Sequence, residues 1–250
     1  MNSVGVAIAD GIANVTLERG KVNALDEDLI DELSSVFAEL ADDPSVRAVV
    51  LSGQGSFFSF GFDIPQFLDY PKHRFAGFLS KFTDLYTDLF EFPKPLIAAL
   101  NGHAIAGGCM LALACDVRLM SRGAGKISLN EIAFGSTVFA GSVEMLRFVV
   151  GDGNAQRVLY SGEMYTAEQA ARIGLIDEVV TAEKLDAAGR SAAEKLATRA
   201  APAFKSIKHL LRHQFAERMR EREPASIEEF VEIWYSPQTW RNLQQIRIRS

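Results

Sequence analysis

Apolar and polar positions alternate through Val4–Ala9 and again through Ile12–Leu17, on either side of Asp10-Gly11. A period of two around an Asp-Gly pair predicts a β-hairpin. Leu29, Ile30, Leu33, Val36, Phe37 and Leu40 then share one face of a helix that begins after Asp26 and is stopped by Asp42, Asp43 and Pro44. Residues 47–52 form a short apolar run of buried-strand type, 53–67 a loop dense in Gly, Ser and Phe, and 74–90 a longer helix ending before Pro93 and Pro95. Another strand is expected at 96–100, a buried helix of small residues at 107–115, and a strand at 116–121. From Ala167 onward the pattern is mostly helical, with a strand-like 176–180 among amphipathic runs near 182–198, 203–220 and 226–233. Strand–helix alternation followed by a helical tail predicts the α/β class: a layered core over 1–195 and a helical C-terminal region over 196–250.

Composition narrows the function classes. The 250 residues carry 26 Lys and Arg against 32 Asp and Glu, a net charge of −6, with 48% hydrophobic residues. Such a chain can bury one generous core and lacks the basic footprint of a nucleic-acid binder. Cys109 and Cys115 share one apolar segment, neither a disulfide framework nor a metal knuckle, so a reducing, cytoplasmic setting is expected. The start of the chain, 1–11, has no basic residue ahead of its apolar stretch and does not read as a signal peptide. Residues 95–115 carry no formal charge, but Asn101, Gly102, His103, Gly107 and Gly108 break the run. A strand, a turn and a buried helix explain it better than a membrane span. The alternating charges of 217–223 read as a solvated helix face. The tail's Phe230, Trp234, Tyr235 and Trp240 exceed what a lone terminal helix hides, which points to an oligomer contact.

Two glycine-containing loops each follow a short apolar strand: Phe58-Ser59-Phe60-Gly61-Phe62-Asp63 and Asn101-Gly102-His103-Ala104-Ile105-Ala106-Gly107-Gly108. Glycine there lets backbone N–H groups point into a cleft, and two converging N–H groups can hold an oxyanion. Neither loop has the spacing of a nucleotide-phosphate site. Together with Lys21-Val22-Asn23-Ala24-Leu25, Cys115-Asp116, Asn130-Glu131 before Gly135, Ala167-Glu168-Gln169-Ala170 and the 174–180 segment, they resemble the crotonase, or enoyl-CoA hydratase/isomerase, superfamily. The order of these motifs spans most of the chain to about Leu211.

The resemblance implies a crotonase-like spiral of ββα units with a helical C-terminal section, assembling as a homotrimer or hexamer. It implies an acyl-CoA thioester as substrate, with no metal or redox cofactor, no nucleic acid and no membrane. It places the oxyanion donors on the backbone N–H of Phe62 and of Gly107. It puts Lys21, Ala24, Phe60, Gly61, Asp63, Ile64, Gly108, Met110 and Asn130 along the substrate, with Lys21 as first cation for the phosphates and Lys208 as second. Phe60 stands where the family has a small residue, which reshapes the acyl channel. Asp63 and Asp116 also read as braces for their loops.

Family hydratases use two glutamates to activate water. The position of the first is Met110 here, and that of the second is Glu131. One carboxylate is insufficient for that hydration and sufficient for a proton shuttle. The pattern is closest to the 3-enoyl-CoA to 2-enoyl-CoA isomerases, with Glu131 moving a proton from C2 to C4 of a dienolate. The plainer reading of Glu131 is a salt-bridged surface carboxylate, with Glu144 in reserve. His103 could touch substrate or simply complete a turn; His73, His209 and His213 show no metal spacing; Cys109 reads as core packing. The rivals are thioester hydrolysis or an atypical hydration on the same scaffold, and a non-catalytic acyl-CoA binder.

Overall fold

A computed structural model describes residues 3–246; the expectations for residues 1–2 and 247–250 lie outside that range. The hairpin forms where its alternation places it, β1 (Val4–Ala9) against β2 (Ile12–Leu17), with Asp10 and Gly11 both at positive φ in the turn. Helix α1 (Glu27–Asp42) starts at Asp26, whose side chain accepts from the Leu29 N–H at 3.0 Å, and buries Leu29, Ile30, Leu33, Phe37 and Leu40.

Three successive units then build two sheets. Strand β3 (Ala48–Gly53) leads to β4 (Phe57–Ser59), then α2 (Ile64–Phe67) and α3 (Lys72–Phe90). Strand β5 (Leu96–Leu100) leads to β6 (His103–Ile105) and α4 (Gly107–Ala114). Strand β7 (Val117–Ser121) leads to β8 (Ile127–Ser128), a short turn of helix at Glu131–Phe134, and α5 (Ala140–Ser161). The first strand of each unit joins a six-stranded sheet completed at its far edge by β9 (Glu178–Val180), ordered β1-β2-β3-β5-β7-β9 and parallel except for the hairpin; the second joins a three-stranded parallel sheet, β4-β6-β8. This is the expected α/β spiral of ββα units. Gly102 sits at the corner between β5 and β6, where a Cβ would lie 1.9 Å from the Ser56 carbonyl oxygen.

The remaining elements are α6 (Ala167–Arg172), β9 (Glu178–Val180), α7 (Leu185–Ala197), α8 (Ala201–Trp234) and α9 (Pro237–Leu243). Three expectations change here. The runs at 203–220 and 226–233 are one helix, α8, which continues through Pro224. Its charged stretch is not simply solvated: Arg218 and Arg222 pair with buried Glu144, while buried Glu223 takes hydrogen bonds from Tyr86 and from the Gly141 N–H. The tail aromatics need no neighbouring subunit to hide them. Phe230 stacks on Phe139 at 4.4 Å and Trp234 lies 4.7 Å from Phe75, both buried within the chain. Tyr235 donates to the Tyr70 carbonyl at 2.5 Å and stacks on Trp240. Helix α8 thus packs on α3 and α5 and closes the core. Among the described residues, no helix is long and apolar enough to cross a membrane.

Candidate active site

The site forms where the loop after β4 meets the start of α4. Ala106 takes a positive φ of 50° between β6 and α4, held by its N–H to the Ser128 carbonyl at 2.8 Å. That sharp turn makes Gly107 the first residue of a helix, where the N–H has no intrahelical acceptor. On the facing loop, Gly61 has φ +90°; a Cβ there would lie 2.8 Å from the Ile105 carbonyl oxygen and 3.2 Å from the Gly107 nitrogen. The loop can therefore approach α4 closely only with glycine at 61. The Leu25 N–H donates to Gly61 and the Leu25 carbonyl accepts from Asp63, at 2.8 and 2.9 Å, so Phe62 is pinned between two backbone bonds. Neither the Phe62 nor the Gly107 N–H has a hydrogen-bond partner among the described residues.

Behind this loop stands a brace that sequence reasoning missed. Asn23, buried and at positive φ, donates to the Phe57 and Phe58 carbonyls at 2.9 and 3.2 Å. Arg19 donates to the Ala24 carbonyl at 3.0 Å and pairs with Asp26 and Asp63 at 2.7 and 2.8 Å. Asp63 also caps α2 through the Gln66 N–H. Its carboxylate is thus a brace and not a group free for substrate. The only sequence signal for Arg19 was its place four residues before Asn23, which carries no information without the fold.

A cavity of about 130 Å³ opens beside the two N–H groups. Phe60, Phe62, Ile64, Gly107, Asn130 and Glu131 line it, together with Ile105, Ala106, Phe134, Phe139, Phe230, Trp234 and Ile246. Among the described residues, Glu131 is the one ionisable side chain in that lining. It is 3% exposed, and its Oε2 has no hydrogen-bond partner among the described residues. Burial pushes its carboxyl up to about 8, a bond from its own backbone N–H opposing this only in part. The Glu131 side chain is therefore not on the surface, and it has no salt-bridge partner among the described residues. Asn130 Oδ1 and Trp234 Nε1 are likewise buried and unpartnered among the described residues.

Other expected site residues fall elsewhere. Ala24, Gly108 and Met110 are buried but do not line the cavity. Gly108 serves packing, since a Cβ would lie 2.5 Å from the Ser59 carbonyl oxygen, and Met110 belongs to the hydrophobic core. Lys21 is exposed. Lys208 is buried and committed to Asp116 at 2.8 Å and to the Lys94 carbonyl, so it is not a phosphate ligand; burial lowers its ammonium to about 8. Glu144 is held by Arg147, Arg218 and Arg222, outside the cavity, and is no reserve base. Asp116 braces β5 by accepting from the Leu96 N–H. His103 stacks on Phe57 at 4.8 Å and does not reach the cavity. Burial pushes the Cys109 thiol well above its ordinary range, which suits packing and not nucleophilic attack. The aromatic lining from α5 and α8 escaped the sequence reading because helical spacing shows that a face is buried, not what it faces.

The family model described as enoyl-CoA hydratase/isomerase matches residues 7–239. A probable enoyl-CoA hydratase of Bacillus subtilis is 34% identical over 202 residues, 78% of each chain. The (E)-benzylidenesuccinyl-CoA hydratase of Thauera aromatica is 34% identical over 199 residues, 79% of this chain and 77% of that protein. Human mitochondrial delta3-delta2-enoyl-CoA isomerase superposes with a TM-score of 0.94 at 26% identity, covering 97% of this chain and 96% of its own.

Proposed function

The chain belongs to the enoyl-CoA hydratase/isomerase family, and from that premise we propose that it converts a 3-enoyl-CoA to the 2-enoyl-CoA. The observation that carries this reading is the solitude of Glu131: among the described residues it is the one ionisable side chain lining the cavity, buried and without an ion pair, beside two backbone N–H groups that have no partner there. The thioester carbonyl oxygen accepts from Phe62 and Gly107, which makes the C2 proton acidic and holds the negative charge that develops on its removal. One such donor contributes about 3 kcal/mol to the transition state. Glu131 as carboxylate takes the C2 proton; the electron pair delocalises over a dienolate; the resulting carboxylic acid returns the proton at C4. A base of raised pKa suits both halves of that exchange, since it binds the proton firmly enough to take it and gives it back near neutral pH. Among the described residues no second carboxylate lines the cavity to activate water, and Met110, buried in α4, cannot accept a proton.

A second reading, hydration of a 2-enoyl-CoA, is favoured by the names of the sequence relatives. Absorbance of the conjugated thioester separates the two. With 3-enoyl-CoA the proposed reaction increases it; with 2-enoyl-CoA and water, hydration decreases it. A decrease without any increase would replace isomerisation by hydration. Self-association into a trimer or hexamer is part of the same proposal, and exposed Ile207, Leu210 and Leu211 on α8 are an available apolar strip for it.

A further inference from the structure

Far from the cavity, α8 carries His209 and His213 one helical turn apart, and the end of α3 brings Glu91 against them. The histidine spacing alone offered no acidic third ligand, because Glu91 is 122 positions from His213 and only the fold joins them. Glu91 Oε1 lies 3.0 Å from His213 Nδ1 and 4.0 Å from His209 Nδ1, and the two rings are 4.2 Å apart. One donor atom from each of the three side chains falls within 4.8 Å of the others, the one such group among the described residues. An ion with tetrahedral bonds of about 2.1 Å holds its ligand atoms roughly 3.4 Å apart, between the two measured separations.

We propose that Glu91, His209 and His213 form a divalent transition-metal site of zinc type that clips the end of α3 to α8. Two imidazoles select a borderline metal over magnesium or calcium. Both histidines are partly exposed, so the ion can enter and water can complete its shell. Arg220 pairs with the other oxygen of Glu91, Oε2, at 2.7 Å, which orients the carboxylate and leaves Oε1 toward the histidines. Glu217 lies 3.6 Å from His213 Nε2 and Asp88 lies near Glu91, so two further carboxylates neighbour the group and oppose the charge of Arg220. His213 precedes Phe230 by 17 positions on one helix, roughly 25 Å. The clip is structural and separate from the chemistry at Glu131.

The test is titration of the chelator-stripped full-length protein with Zn2+ by calorimetry, with thermal unfolding in parallel. The wild type is expected to bind one ion per chain and to melt at a higher temperature with zinc. The exposed His209→Ala substitution and the double His209→Ala/His213→Ala substitution should remove the bound ion and the thermal shift together. Glu91→Gln should weaken binding by more than the roughly 10–100-fold that loss of an outer-shell partner costs. The proposal is overturned by absence of saturable binding in the wild type, by binding that survives the double substitution, or by unchanged affinity in Glu91→Gln.

Discussion

Two buried glutamates flank the start of α5, and they live in opposite surroundings. Glu144, 1% exposed, meets three guanidinium groups, Arg147, Arg218 and Arg222, at 3.4, 3.1 and 3.0 Å. Glu131, 3% exposed, meets phenylalanines and has a carboxylate oxygen with no partner among the described residues. Taking a carboxylate out of water is unfavourable in both places. Around Glu144 the chain offsets that cost with ion pairs, and the result is a cross-link between α5 and α8. Around Glu131 no ion pair among the described residues offsets it, and its own backbone N–H does so only in part, which leaves its carboxyl raised to about 8. On the proposed mechanism, a stability role and a chemical role are separated by neighbours and not by residue type.

Replacing each glutamate by its amide should break the comparison in opposite directions. The largest expected effect is on turnover: Glu131→Gln keeps the shape, removes the base and should lower the isomerisation rate by at least about 10³-fold. Steady-state kinetics with matched CoA-ester binding checks it, and near wild-type turnover would remove Glu131 from the mechanism. Next in size is Glu144→Gln, which leaves three half-exposed arginines without their shared anion and should cost about 3 kcal/mol of stability. Urea unfolding reads that loss, while turnover per folded molecule should stay unchanged.

A smaller effect sharpens the contrast through pH. The Glu131 carboxyl binds its proton more tightly folded, at about 8, than its ordinary value of 4.5. The stability it contributes is fully present below the ordinary value and is lost as pH rises through 8. Glu131→Gln has no such titration, so it should gain on the wild type by about 2 kcal/mol between pH 5 and about pH 6.5 in unfolding experiments. A constant difference across that range would mean the carboxyl is solvated or paired. The smallest effect is expected from Met110→Glu, which puts a second carboxylate on the buried face of α4. Like-charge repulsion and desolvation should leave it only barely able to hydrate a 2-enoyl-CoA, with impaired isomerisation; brisk hydration would show that one added carboxylate suffices.

Much of this architecture was legible in the chain, for identifiable reasons. The hairpin and α1 follow from periodicity, a turn pair and a capping aspartate acting over short distances. The strands of the small sheet did not appear, because two or three residues are too few to show a period. Helix α5 was missed because its buried positions cluster at its two ends, either side of Gly151 at φ 74°. Helix α8 was divided at Pro224 and its charges, which find their partners on α3 and α5. The same limit holds at the site. Phe62, Gly107 and Glu131 carry local motifs, whereas Phe139, Phe230 and Trp234 reach the cavity from distant helices that no spacing connects. Arg19 and Lys208 show the converse: the sequence displays a cation, and only the fold shows that Arg19 braces the loop and that Lys208 is spent on Asp116.

The central claim is that an unpaired, buried Glu131 acts alone as the base. Its most direct test is the pH dependence of kcat/KM for conversion of a 3-enoyl-CoA, which reports the free enzyme's essential ionisation. The account predicts a limb that rises with pH and levels off above an apparent value of about 8, as the Glu131 carboxyl loses its proton. A limb that is already level above pH 5 would place the essential base in a solvated or ion-paired setting and contradict it.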